Sequence, residues 1–199
     1  MLIKVCGITR VEDALAAARL GVHAVGFVLW PSSPRAVSLD TVAAVLEQLS
    51  PFVTPVGVFV DPSEADVAQA RAAGIQVAQV YGRPPTLPAG MPLIRAASLA
   101  SDTAGIDPDV PGMSVVLLDA HDAVRRGGTG QTIDWMRAGE VAARRPVILA
   151  GGLTPANVGA AIATVRPVGV DVSSGVETAP GLKDIHKLAA FVAAVRAHA

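Results

Sequence analysis

The chain has one cysteine, few lysines beside its arginines, no block of like charge and no apolar stretch that is both long and unbroken. Each shortage excludes something. With Cys6 alone no intramolecular disulfide can form, and Met1 leads into a short apolar segment with neither the basic start nor the long apolar core of a secretory leader. A cytoplasmic protein is expected. A formal net charge of -1, spread without clusters, carries neither the footprint of a nucleic-acid binder nor a polybasic membrane patch. The expected partner is a small neutral or anionic molecule, with no nucleic acid and no membrane. Residues 146–165 are uncharged and about as long as a membrane span. Pro146, Gly151, Gly152, Pro155 and Asn157 nevertheless break them into strand, turn and helix start, which lipid does not tolerate. The shortage of lysine fits a genomic base bias and implies no mechanism. No repeat of the solenoid or propeller kind is present.

What is there is alternation. Residues 2–6 are an apolar run, Thr9 and Glu12 have the spacing of a capping box, and Gly21 suits a helix end. Apolar runs recur at 24–30, 56–60, 77–80, 92–96, 114–118, 146–150 and 168–172. Helix signals separate most of them. Ser38 caps a segment with Leu39, Val42, Ala43, Leu46 and Leu49 on one face, and Ser63 opens another that Gly74 closes. Residues 183–198 place Ile185, Leu188, Ala189, Val192 and Val195 on one stripe. The strand-like runs are continuously apolar, as in a parallel sheet covered on both faces. This pattern predicts a single α/β domain over residues 1–199, folded as a (β/α)8 barrel. Between the fourth and fifth strands, residues 82–90 hold three prolines and two glycines, so the helix there is predicted absent or rudimentary. The connection 98–112, rich in Gly, Pro and Asp, is predicted to carry only a short or irregular one.

In such a barrel functional groups stand at the C-terminal ends of the strands. Cys6, Arg35, Gln79, Asp119, Gly151, Asp171 and Ser173 fall there. Position alone leaves each with an ordinary alternative. A lone cysteine at a strand end is also a small core residue, and Asp119 is equally a cap for its loop. Gln79 and Asp171 read as structural hydrogen-bonding groups, and Arg35 as a solvated surface charge. The glycine loops say more. Gly151-Gly152-Leu153-Thr154-Pro155 runs from strand to helix, with Thr154 as expected N-cap, and Ser173-Ser174-Gly175 ends the eighth strand. They follow the seventh and eighth strands, the place where barrels hold phosphate on exposed N–H groups; tight turn geometry is the competing explanation for the glycines. Gly127-Gly128-Thr129-Gly130 lacks the spacing of a nucleotide loop and is expected to form a lid over the site.

Taken in order, Lys4-Val-Cys-Gly-Ile-Thr9, Val25-Gly-Phe-Val28, Pro34-Arg35, Val56-Gly-Val-Phe-Val60, Leu118-Asp119, Gly127-Gly-Thr-Gly130 with Asp134-Trp135, Gly151-Gly152-Leu153 and Asp171-Val-Ser-Ser-Gly-Val-Glu177 resemble the phosphoribosylanthranilate isomerases of tryptophan biosynthesis. The resemblance spans nearly the whole chain. It implies an intramolecular oxidoreductase that turns an aminoaldose phosphate into an aminoketose phosphate by an Amadori rearrangement, without cofactor or metal and as a monomer. It also implies roles: Asp119 as general acid on the ring oxygen, Cys6 as general base on the C2′ proton, and Arg35 on the anthranilate carboxylate. Gln79 and Asp171 join the substrate contacts, and Gly151, Gly152, Ser173, Ser174 and Gly175 the phosphate. Such a scheme needs surroundings that favour the Cys6 thiolate and keep a proton on Asp119. Lys4, two residues before Cys6 on the same side of the strand, is expected to pair with Asp171 and supply the charge.

The chain departs from the family pattern at Tyr81, where Gln-Leu-His-Gly is usual, and at Gln131, where Lys commonly follows the glycine loop. Two other readings stay open. One is the related phosphosugar isomerase of histidine biosynthesis, although that family places an aspartate where this chain has Cys6. The other is a barrel that binds a phosphorylated ligand without turnover.

Overall fold

The computed structural model describes residues 1–98, 115–119 and 133–198. Eight parallel strands close into a barrel in chain order: β1 (Leu2–Cys6), β2 (Ala24–Val28), β3 (Thr54–Val60), β4 (Val77–Tyr81), β5 (Leu93–Ser98), β6 (Val115–Asp119), β7 (Val147–Leu149) and β8 (Gly169–Val172). Around them stand α1 (Val11–Arg19), α2 (Leu39–Leu46), α3 (Glu64–Ala72), α4 (Trp135–Ala142), α5 (Val158–Val165) and α6 (Ile185–His198). A short 3-10 turn (Ser174–Val176) and an antiparallel hairpin of β9 (Glu177–Ala179) and β10 (Leu182–Lys183) lie between β8 and α6. Among the described residues no helix is long and apolar enough to cross a membrane.

The expected barrel is present, and two apolar layers explain its stability. The larger one lies between strands and helices and includes the fully buried Phe27, Leu118, Leu149, Leu188 and Phe191. Removing each such side chain from water contributes roughly 1.5–3 kcal/mol. The smaller one, Ala96, Leu117, Ile148 and Ala150, fills the barrel interior on the β5 to β7 side. Because strand residues alternate in direction, β1 turns Lys4 and Cys6 the same way, and register sets Lys4 beside Asp171 of β8 and Cys6 beside Gly26 of β2.

No helix links β4 to β5, as the prolines of 82–90 predict. Leu87 and Met91, from the connection between these strands, pack in the main core and cover part of what a helix would have covered. The caps at Ser38 and Ser63 form as expected, the latter as a full capping box with Asp66. Three local expectations are corrected. Thr9 does not cap α1: its hydroxyl donates to the Gly181 carbonyl, and the helix starts after Arg10, whose guanidinium meets Asp13 at 2.7 Å. Thr154 does not cap α5, which begins at Val158 after a turn in which Asn157 accepts from the Thr154 N–H at 2.7 Å. Lys183 belongs to β10 rather than to the last helix, whose N–H groups at His186 and Lys187 are satisfied by Asp184. The expected irregular connection at 98–112, the expected lid at 127–130 and the Gln131 position lie outside the described residues, apart from the Ser98 backbone at the end of β5.

Candidate active site

At the C-terminal mouth of the barrel is a cavity of about 710 Å³. Cys6, Arg35, Asp119, Asp171, Gly151, Gly152 and Ser173 to Gly175 all line it. One wall is apolar, built from Val28, Trp30, Val58 and Val60, and suits a flat ring. Gln79 is the exception among the expected contacts. It is fully buried, does not reach the cavity wall, and makes only a weak 3.5 Å contact from Nε2 to the Tyr81 hydroxyl. On a strand of alternating side chains it sits one layer below Tyr81, so depth removes it from a ligand's reach.

Lys4 pairs with Asp171 at 3.0 Å, both buried, as expected from their positions on neighbouring strands. Burial pulls the lysine down; the charge of Asp171 and its hydrogen bond oppose this, and the ammonium lies above its ordinary value. Asp171 keeps Oδ1 without a protein hydrogen bond, an acceptor at the cavity wall. For Cys6 the outcome corrects the expectation. Burial raises the thiol, Lys4 and Lys183 oppose this and Asp171 adds to it, so the thiol lies above its ordinary value and rests protonated. Gly26 leaves the space this arrangement occupies: a Cβ there would stand 3.0 Å from both the Cys6 Sγ and the Lys4 Nζ.

Asp119 stands in different surroundings. Below it on β6 is the fully buried Leu117, and Tyr81 donates its hydroxyl to Oδ2 at 2.8 Å. Burial first, and then the charge of Asp119, push the Tyr81 phenol well above its ordinary value, so it stays a donor.

The glycine loops meet. Gly151 and Gly152 both take positive φ, 82° and 63°, which most side chains avoid, and a Cβ at Gly175 would collide with the Leu153 carbonyl. Ser174 and Gly175 open the 3-10 turn, so their N–H groups have no partner within it.

Two participants escaped the sequence reading. Glu177 accepts from Arg35 Nε at 2.9 Å and Nη2 at 2.7 Å, and from Lys183 Nζ at 2.7 Å. Burial pushes its carboxyl up, but the hydrogen bonds from Arg35 and the charge of Lys183 bring it below its ordinary value, so it is ionised. Arg35 is thus no solvated charge; its side chain is 12% exposed. The chain's three lysines gather at this corner: Lys4 and Lys183 are buried in it, and Lys187 donates to the Glu177 carbonyl at 2.9 Å. A scarce residue type at the site was the available signal. Among the described residues no three His, Cys, Asp or Glu side chains cluster closely enough to hold a metal ion.

The family model for N-(5'-phosphoribosyl)anthranilate isomerase matches residues 3–194. The chain belongs to the phosphoribosylanthranilate isomerase family. The histidine-pathway alternative is set aside by this match. An N-(5'-phosphoribosyl)anthranilate isomerase of Pseudomonas syringae is 44% identical over 198 residues, covering 96% of each chain. A phosphoribosyl anthranilate isomerase structure from Thermus thermophilus superposes with a TM-score of 0.85 at 38% identity and 99% coverage of both chains. Another isomerase structure, in complex with reduced 1-(o-carboxyphenylamino)-1-deoxyribulose 5-phosphate, gives a TM-score of 0.82 at 31% identity, covering 99% of this chain and all of that one.

Proposed function

We propose that this chain catalyses the Amadori rearrangement of N-(5-phosphoribosyl)anthranilate to 1-(2-carboxyphenylamino)-1-deoxyribulose 5-phosphate in tryptophan biosynthesis. The observation that carries this reading is one cavity bearing a thiol, a carboxyl, an arginine and two glycine loops around an apolar wall. The loops at Gly151, Gly152 and Ser173 to Gly175 take the phosphate on their N–H groups. Trp30, Val28, Val58 and Val60 receive the anthranilate ring, and Arg35 meets its carboxylate through the guanidinium edge that Glu177 does not use. Asp171 Oδ1 accepts from a ribose hydroxyl.

Chemistry then divides between two groups. Asp119, held by Tyr81, gives its proton to the furanose ring oxygen as the C1′–O bond breaks, leaving a protonated Schiff base. Cys6 as thiolate removes the C2′ proton; the C–H electrons form the C1′=C2′ bond and neutralise the iminium nitrogen. The resulting enolamine tautomerises to the ketone. A thiol held above its ordinary value is a scarcer thiolate but a stronger base once formed, and Lys4 and Lys183 limit the scarcity. Gln79 acts on this reaction only through Tyr81.

The experiment is direct. Phosphoribosylanthranilate is fluorescent and the product differs in emission, so enzyme-dependent decay of the substrate signal measures turnover. A chain that binds the reduced product analogue but leaves that signal untouched is the non-catalytic barrel instead.

A further inference from the structure

We infer that Glu177 and Lys183, at the two ends of the hairpin after β8, are positioning residues that hold Arg35, the Cys6 backbone and the Ser173 backbone in one frame. The inference rests on the isomerase reading and on the roles given above to Arg35, Cys6 and the Ser173 loop.

Three parts of the site come from distant parts of the chain, and one buried ion pair touches all of them. The Glu177 carboxylate occupies the Nε and Nη2 side of Arg35 with three contacts of 2.7 to 3.1 Å. Its Oε1 also takes the Lys183 ammonium at 2.7 Å. Lys183 Nζ in turn donates to the Cys6 carbonyl at 2.6 Å and reaches the Ser173 carbonyl at 3.4 Å. An ammonium has three donors, and here each has a direction: the carboxylate group's anchor, the base and the phosphate loop. The planar guanidinium, fixed along one edge, is left to present Nη1 and the remaining Nη2 hydrogen to a ligand carboxylate. Gly7 makes room for this, because a Cβ there would stand 2.6 Å from the Arg35 Cδ and 3.0 Å from the Ser173 Oγ.

A purely structural role would not need charge. The hairpin is already tied down by Thr9 to the Gly181 carbonyl, by the Lys183 N–H to Asp13 at 3.0 Å and by the Asp184 N–H to the Val176 carbonyl at 2.8 Å. Buried ion pairs add little net stability over apolar residues of the same size. Two cations around one carboxylate do, however, leave a positive corner beside a cavity meant for an anion. Cys6 itself faces Lys4 from its own strand, Asp171 from β8, Lys183 from β10 and Tyr81 from β4.

The test uses the full chain with Glu177→Gln, Lys183→Met and Arg35→Lys, each checked by thermal melt. Steady-state turnover of phosphoribosylanthranilate is measured across pH, and binding of the reduced product analogue by titration. Glu177→Gln is expected to raise KM and weaken analogue binding about tenfold or more, with kcat changed far less, because a charge-assisted anchor is lost while the base is kept. Its effect on KM should not add to that of Arg35→Lys. Lys183→Met is expected to lower kcat and move the ascending limb of its pH profile upward, since one of the cations facing Cys6 is gone. A folded Glu177→Gln with wild-type KM overturns the inference, as does a folded Lys183→Met with an unmoved limb. Should Lys183→Met fail to fold, Glu177→Gln, which keeps size and hydrogen-bonding atoms, decides. A wild-type chain without turnover sinks the isomerase reading and this inference with it; turnover with unchanged variants sinks the inference alone.

Discussion

The thiol and the carboxyl stand at the ends of two strands of one barrel, yet they keep different company. Around Cys6, Lys4 of β1 and Asp171 of β8 pair in the barrel interior, and Glu177 and Lys183 of the hairpin after β8 pair with each other and with Arg35, at 2.7 to 3.0 Å. Around Asp119, on the side of β4 to β7, the described interior is Ala96, Leu117, Ile148 and Ala150, and the Tyr81 hydroxyl donates to the carboxylate at 2.8 Å. The difference follows from the two tasks. A base buried from water needs cations to keep its charged form within reach, whereas an acid that must carry a proton is better served by apolar surroundings. One fold supplies both because strand alternation lets each strand choose its inward residues independently.

Several substitutions would break or sharpen this contrast. The largest effects are expected at the two groups themselves: Cys6→Ser and Asp119→Asn should each lower kcat by about 10²–10⁴-fold while the reduced product analogue still binds. Turnover retained in both would refute their roles. Next comes Lys4→Met, which leaves Asp171 as an unpaired buried carboxyl and should cost about 3–5 kcal/mol in a urea titration. It should also shift the rate profile. Lys4 lowers the Cys6 value, so its removal raises a thiol that burial has already raised, and the ascending limb of kcat moves to higher pH. An unchanged profile would separate the pair from the base. On the apolar side, Leu117→Ala should lose about 2–5 kcal/mol of stability through the cavity it leaves, with the turnover of the folded fraction little altered. A kcat loss as large as that of Asp119→Asn would mean that packing, not the carboxyl alone, sets the acid. The smallest effect is expected from Tyr81→Phe, which removes one hydrogen bond and should cost about 1 kcal/mol in kcat, roughly fivefold.

Much of this was legible locally. The eight strands were visible because a strand buried on both faces is an apolar run, and Ser38, Ser63, Gly21 and Gly74 marked helix ends by chemistry that acts over a few residues. The missing helix between β4 and β5 was equally local, since prolines forbid it wherever they stand. Thr9 misled because its hydroxyl, which as a cap would accept from a backbone N–H of the helix, instead donates to the distant Gly181 carbonyl. Lys183 misled because helical spacing continues backwards into a hairpin that tertiary contacts create. Gln79 looked like a ligand contact because sequence marks the strand end but not the depth of each residue below the mouth.

By itself, then, the order of residues determined the barrel, the glycine loops after β7 and β8, and, through the resemblance of its motifs, the family. Beyond the expected pair of Lys4 and Asp171, only the tertiary structure decided which distant polar groups meet: Arg35 with Glu177 across 142 positions, and Tyr81 with Asp119 across 38. The reason is range. Periodicity, capping and turn chemistry act between residues a few places apart, whereas an ion pair forms between whichever groups barrel closure brings within about 3 Å, and closure is a property of all eight strands together.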